Sequence, residues 1–226
     1  MPQLESLGIA FHSPSRGRAL ETQLSETPII QHVTLPHLRW FAFGGDNAYL
    51  EALLPHVTTS LLERLQIIIF NRPSFSVPCL LQFMGTAERL RFSSLSVSFL
   101  GAVVVVRALP REGAKVDAFY MHLSCQSLDW QVACAAQIFD TLGSAFSSVE
   151  HLRLQFGERE SLSEGDNAIN VNPTQWSIFL GSFSNVETLL IDDGFKGPLS
   201  FPTTGRRRTT TRPVAPVKGA GIFCER

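Results

Sequence analysis

A six-residue phrase recurs along this chain, and its spacing constrains the fold more than any other feature. The phrase carries apolar residues at its first, fourth and sixth positions. It is clearest at 149–154, where Leu152 and Leu154 alternate as on a half-buried strand. Its occurrences begin at Leu4, Leu38, Leu62, Ala87, Val116, Val149 and Val186, so successive intervals are 34, 24, 25, 29, 33 and 37 residues. Leucine-rich repeats have the core L-x-x-L-x-L and a period of roughly 20–29 residues. Three of the six intervals fall in that window, and the others exceed it by the length of a modest insertion.

Segments with helical periodicity follow several of these phrases. The first is 48–54, with Asp46 or Asn47 as its cap and Pro55 at its end. Further helices are predicted from about Pro78 with Ser76 as the cap, from 127 or 129 to 142, and from 172 to about 183. The longest has four residues spaced at four that predict its buried face: Trp130, Cys134, Ile138 and Leu142.

Strand followed by helix, repeated along the chain, predicts an α/β fold. We expect an irregular leucine-rich-repeat-like solenoid, with a parallel strand ladder and helices on its outer face. An ordinary α/β sheet is the alternative. Within this rhythm, Ser94–Ala108 is rich in β-branched residues and predicts an added strand pair that turns near Gly101.

The pattern divides the chain into two parts. Residues 1–200 form the expected solenoid, and because the chain begins inside a repeat phrase, we expect an N-terminal truncation. Residues 201–226 include Arg206–Arg208 and several prolines, and this basic, low-complexity composition predicts a disordered tail.

Composition limits the classes of function. The chain has 226 residues, of which 44% are hydrophobic and 17% charged, with a formal net charge of −1. That balance is typical of a globular or solenoid protein and gives no reason to expect nucleic acid or a membrane as a partner. There is no apolar run near the 20 residues that a membrane span needs, and no signal-peptide pattern. The four cysteines include no C-x-x-C pair, so we expect an intracellular protein, cytoplasmic or nuclear.

The intervening positions of the phrases identify a candidate binding surface. On an L-x-x-L-x-L strand the leucines point inward, and the residues between them face the concave surface on which solenoids bind. The candidate partner-binding residues are Trp40, Arg64, Arg89, Arg91, Tyr120, His151 and Arg153. One interpretation is a surface for an acidic or phosphorylated protein target. The other is that the arginines pair with neighbouring carboxylates, Glu63, Glu88 and Glu150.

Catalytic and metal patterns are weak. His32 and His37 have no nearby carboxylate at ligand spacing. A thiol nucleophile would need Cys125 or Cys134 beside His122 or His151, and Cys134 lies on the apolar face of a helix. Asp192-Asp193-Gly194 is typical of a turn, and no nucleotide-binding or hydrolase motif occurs. We therefore expect no enzyme activity, no cofactor and no metal.

Four segments resemble the C-terminal regions of basidiomycete F-box proteins with irregular leucine-rich repeats. They are Leu35–Phe43, Tyr49–Pro55, Asp129-Trp130 and Phe183–Leu189, and the resemblance covers roughly residues 1–195. It implies a repeat fold and a role similar to that of a substrate-recognition subunit of a ubiquitin ligase, whose F-box binds a Skp-type adaptor. This chain has no F-box helix cluster ahead of its repeats, which leaves adaptor binding open.

The sequence thus favours a protein–protein interaction module. Two alternatives remain open. A truncated gene product without independent function would have an unpaired apolar first strand and a disordered tail. A small α/β enzyme would have a cleft with a perturbed histidine or cysteine at strand ends.

Overall fold

The chain folds as a mixed α/β protein with a mostly parallel sheet and helices, as the alternation of strand and helix predicts. A computed structural model describes residues 3–11, 31–70, 77–111, 114–125, 128–157 and 173–192, together with the backbone of 208–209. The strands are β1 Ser6–Ala10, β2 Val33–Thr34, β3 Trp40–Gly45, β4 Val57–Thr58, β5 Arg64–Ile69, β6 Ser94–Leu100, β7 Val103–Leu109, β8 Phe119–Ser124, β9 His151–Phe156, β10 Thr188–Ile191 and β11 Arg208–Thr209. The helices are α1 Asn47–Leu53, α2 Pro78–Thr86, α3 Leu128–Leu142 and α4 Pro173–Gly181, with 3-10 turns at Leu54–His56 and Gly143–Phe146.

The order of the strands in the main sheet departs from their order in the sequence. Among the described residues, nine strands form one sheet in the order β1-β3-β5-β8-β7-β6-β9-β10-β11. Only β7 is antiparallel to its neighbours, and every other adjacent pair is parallel. Strands β2 and β4 form a separate parallel pair. The chain therefore leaves β5, skips two places to form β6, returns through β7, and places β8 directly beside β5.

Six of the seven phrases form strands, and the phrase that begins at Ala87 does not. Residues 87–93 are a turn and coil, and β6 starts only at Ser94. The apolar pattern that faces the core there is Phe92, Leu95 and Val97, five residues later than predicted. Leu95 pairs in register with Leu152 of β9, which fixes this assignment. The prediction was wrong because two overlapping segments carry the same apolar spacing, and only the second reaches the sheet in register.

The predicted hairpin in this region is confirmed. Strands β6 and β7 pair antiparallel from Ser94–Leu109 to Leu100–Val103. Gly101 lies in the turn between them with φ of +48°, in the left-handed region that favours glycine. The hairpin thus inserts one reversed strand into an otherwise parallel sheet.

The helix starts follow from identifiable caps. The side chain of Asp46 accepts a hydrogen bond from the Ala48 backbone N–H at 2.8 Å, as predicted for α1. Helix α2 begins at Pro78, and the hydrogen-bond acceptor for its first backbone N–H groups is the side chain of Glu51 on α1. The Glu51 carboxylate accepts from the N–H of Cys79 at 2.8 Å and of Leu80 at 3.1 Å. The predicted cap, Ser76, lies outside the described residues.

The predicted buried face of α3 needs one correction. Cys134, Ile138 and Leu142 are buried, whereas Trp130 is 52% exposed. Residues spaced at four advance by about 40° beyond each full turn of an α-helix. Over three such steps the stripe rotates by roughly 120°, which carries Trp130 away from the core.

Phenylalanine rings join the sheet to the helices that cover one of its faces. Phe41 of β3 contacts Phe83 of α2 at 5.7 Å between ring centroids, and Phe99 of β6 contacts Phe179 of α4 at 6.2 Å. Phe139 of α3 lies 5.5 Å from the same Phe179 ring. Such rings bury large apolar areas without needing hydrogen-bond partners. No helix in the described part of the chain is long and apolar enough to cross a membrane.

We predict that Glu51→Ala lowers the free energy of unfolding by about 1 kcal/mol, because two N–H groups at the start of α2 lose their acceptor. Glu51→Gln should cost less, since its amide oxygen still accepts one bond. Glu88→Ala, at an exposed carboxylate in the turn after α2, is the matched control and should leave the urea midpoint unchanged. Equal midpoints for Glu51→Ala and Glu88→Ala would contradict the cap assignment.

Candidate functional site

The face of the sheet opposite the helices carries the polar side chains. Leu65 and Ile67 of β5 are buried in the core, while Arg64 and Gln66 between them point the other way. We call this side the polar face. One row crosses five adjacent strands in register and consists of Gln66, Tyr120, Arg107, Ser96 and Arg153. With strands about 4.8 Å apart, the row extends roughly 19 Å across the sheet.

A pocket of about 290 Å³ opens at one end of this face. Its lining residues come from β3, β5, β8 and the segment that precedes β8: Trp40, Arg64, Leu65, Gln66, Val116, Asp117 and Tyr120. Trp40 and Arg64 are direct register partners on β3 and β5, and Gln66 is paired in the same way with Tyr120. The pocket thus combines a guanidinium, a carboxylate and an amide with aromatic and aliphatic walls.

Arg107 of the reversed strand lies beside two of the residues that line the pocket, Asp117 and Tyr120. Its Nε lies 3.9 Å from Oδ2 of Asp117, and its guanidinium lies 5.8 Å from the centre of the Tyr120 ring. Burial raises the pKa of Asp117, and the nearby positive charge of Arg107 partly offsets that rise. Arg107 therefore places a positive charge beside both the carboxylate and the phenol ring.

Arg64 differs from Arg107 and Arg153, the other arginines on the polar face, in having no carboxylate partner among the described residues. Glu63, the residue before it, is bridged by Arg39 at 3.1 Å and by Arg89 at 2.7 Å. These three side chains form an ion-pair cluster at the edge where the strands begin. Arg64 instead presents its exposed guanidinium to the pocket.

Two of the predicted surface residues lie off the polar face. Arg89 belongs to the turn after α2 and pairs with Glu63, which is the charge pairing that the second sequence interpretation predicts. Arg91 is exposed in the coil before Phe92. Both placements follow from the phrase at Ala87 not being a strand, so the prediction that they face the concave surface was wrong.

The remaining predicted residues lie on the polar face. Trp40, Arg64 and Tyr120 converge on the pocket. Arg153 lies on β9, where its Nη2 is 3.4 Å from Oδ1 of Asp192, not beside Glu150 as the pairing interpretation expected. His151 begins the same strand, in register with Ser94 and Thr188.

Three residues of the pocket region escaped the sequence prediction. Periodicity predicted the strand that carries Arg107, but it does not specify which strands lie beside an inserted strand. The proximity of Arg107 to the pocket was therefore missed. Asp117 and Val116 were counted as parts of a repeat phrase. Val116, expected to point inward, is 47% exposed in the segment that precedes β8.

The candidate catalytic groups lie apart from the pocket. Cys125 and Cys134 are both buried, and their two thiols influence each other's ionisation. This interaction lowers the pKa of Cys134, whereas the same interaction and burial raise the pKa of Cys125. His32 Nε2 lies 3.1 Å from the hydroxyl of Thr58. In the part of the chain that the structure describes, no three His, Cys, Asp or Glu side chains are grouped as metal ligands.

Comparison with protein-family models, with curated proteins and with solved structures finds no match to this chain. The site is therefore interpreted from its own geometry and chemistry.

His122 gives a prediction about pH. Its half-buried ring lies between Ile68 and Val105 on adjacent strands, and burial lowers its pKa below the ordinary value of about 6.5. As pH falls below about 6.5, the unfolded chain takes up the proton first, so folded-state stability is lost. We predict that the urea midpoint of the native chain falls between pH 7.5 and 5.5 by more than that of His122→Gln. His37→Gln, at an exposed histidine, should behave as the native chain. An equal fall in all three would show that burial of His122 does not shift its titration.

Proposed function

We propose that this chain is a protein–protein interaction module that binds an extended segment of a partner protein across its polar face. The observation that carries the proposal is the pocket, in which the exposed Arg64 guanidinium has no partner among the described residues and lies beside two exposed apolar side chains, Trp40 and Val116. Tryptophan, tyrosine and arginine are the residues that most often dominate binding energy at protein interfaces.

We further propose that the fold is an irregular leucine-rich-repeat-like solenoid. Strands β1, β3 and β5 are parallel and follow one another in chain order, and β2 with β4 repeats that order in a second short ladder. Side-chain hydroxyl groups before β5 and β9 each bond to a backbone carbonyl before the neighbouring strand, β3 or β6. Thr59 donates to the Leu38 carbonyl at 3.2 Å, and Ser148 donates to the Phe92 carbonyl at 2.7 Å. In such folds the exposed strand face is the usual binding surface.

We propose a recognition role without catalysis, in an intracellular setting. The support for a place in a ubiquitin ligase is the sequence resemblance to F-box proteins with irregular repeats. In that role the polar face would take the target, and contact with a Skp-type adaptor would have to be made through an F-box.

The test uses a matched pair of variants of the full chain. Arg64→Glu with Trp40→Ala removes the pocket's cation and its largest apolar wall, and both side chains are exposed, so the fold should persist. Arg91→Glu with Trp130→Ala makes the same chemical changes at exposed positions away from the pocket.

Each chain, immobilised, is exposed to a fungal cell extract, and recovered proteins are quantified by mass spectrometry. We predict that a discrete protein is recovered by the native chain and by the Arg91/Trp130 variant. The Arg64/Trp40 variant should recover at most about one thirtieth of that amount of the protein, as expected when hot-spot residues are removed. The purified partner should show the same ranking of Kd. Equal recovery by both variants, with urea midpoints unchanged, would contradict binding at the pocket.

A further inference from the structure

The apolar walls of the pocket are unusual for this surface. Seven large hydrophobic side chains are exposed among the described residues, and two of them line the pocket: Trp40 at 41% and Val116 at 47%. They come from different segments, the start of β3 and the approach to β8, and meet only because β8 lies beside β5. Exposed apolar groups brought together on a polar surface favour an apolar group of a ligand.

The charged groups of the pocket favour an anion of single charge. The planar guanidinium of Arg64 matches a carboxylate, which accepts two parallel hydrogen bonds from it. A lysine or arginine of a ligand would be repelled by Arg64, and the one lining carboxylate that could attract it, Asp117, already lies beside Arg107. The Arg64 cation thus selects against basic ligands.

Asp117 limits how much negative charge the pocket accepts. Its carboxylate also lines the pocket, and its nearest cation, Arg107, lies 3.9 Å away and is 57% exposed, so the compensation is incomplete. A phosphoryl group carries a charge of about −1.5 to −2 at pH 7, whereas a carboxylate carries −1. A doubly charged anion is attracted more strongly by Arg64 than a carboxylate is, but it is also repelled more strongly by Asp117.

We propose, on the basis of the proposed function, that the pocket recognises the carboxylate of a Glu or Asp adjacent to an apolar residue in an extended peptide segment. The carboxylate binds Arg64, the apolar residue lies between Trp40 and Val116, and Asp117 discriminates against a phosphorylated serine, threonine or tyrosine at the same position.

The test begins with a displayed library of random short peptides selected on the full chain. The expected result is enrichment of Glu or Asp next to an aliphatic or aromatic residue. A labelled peptide carrying the enriched motif is then measured by fluorescence polarisation. Replacing its Glu by Gln, or using the Arg64→Gln chain, should weaken binding about tenfold or more, since hydrogen bonds to a charged group are lost.

A second comparison isolates Asp117. The same peptide with phosphoserine in place of Glu should bind the native chain more weakly than the Glu peptide. In Asp117→Asn, an isosteric change that removes the charge, this difference should shrink or disappear. Phosphoserine binding more tightly than Glu to the native chain would overturn the inference, and so would an Asp117→Asn chain with unchanged preference.

The library separates this inference from the proposed function. Enriched peptides that are basic or uncharged, and whose binding is lost in Trp40→Ala, would overturn the acidic selectivity while supporting the binding face. Failure to enrich any peptide that depends on Trp40 or Arg64 would overturn both.

Discussion

The antiparallel pairing of β7 with β6 and β8 determines where the polar side chains of this protein meet. Arg107 of β7 is fixed in register between Tyr120 and Ser96. The strand order also places β8 directly beside β5, which brings Tyr120 next to Gln66. Backbone hydrogen bonds allow few registers when one face is buried, because a slip of one residue would turn every core side chain toward solvent. The pocket is therefore a consequence of sheet register, held in place by the burial of Leu65, Phe119 and their neighbours.

The burial of one face of the sheet also explains why the opposite face can be polar with little loss of stability. The helices and their phenylalanine rings cover the apolar side chains of the strands, so the other face needs no cover of its own. Several polar side chains on this face bond to one another. The hydroxyls of Ser96 and Ser98, for example, both donate to Oε1 of Gln155, at 3.3 and 2.8 Å. Against that background Arg64 is distinctive, since the acidic residue beside it is already bridged by Arg39 and Arg89.

Sequence periodicity predicted most elements, because it reports which side chains face the core. It located six strands, four helices and the hairpin at Gly101, and it placed Trp40, Arg64 and Tyr120 on one face. It did not predict strand order, because Arg107 and Tyr120 become neighbours through backbone pairing that no local spacing encodes. It misplaced Arg89 because Ala87–Phe92 and Phe92–Val97 carry the same apolar spacing. It also assigned Val116 to the core, although this side chain is exposed in the segment before β8.

The pocket depends most directly on the strand order β5-β8-β7-β6-β9, which NMR measurements of backbone contacts on the deuterated chain can test. We predict nuclear Overhauser contacts between the backbones of Gln66 and Tyr120, of Tyr120 and Arg107, and of Ser96 and Arg153. Contacts between Gln66 and Ser96 would instead indicate a ladder in simple chain order. That result would separate Tyr120 from Arg64 and contradict the pocket on which the proposed function is based.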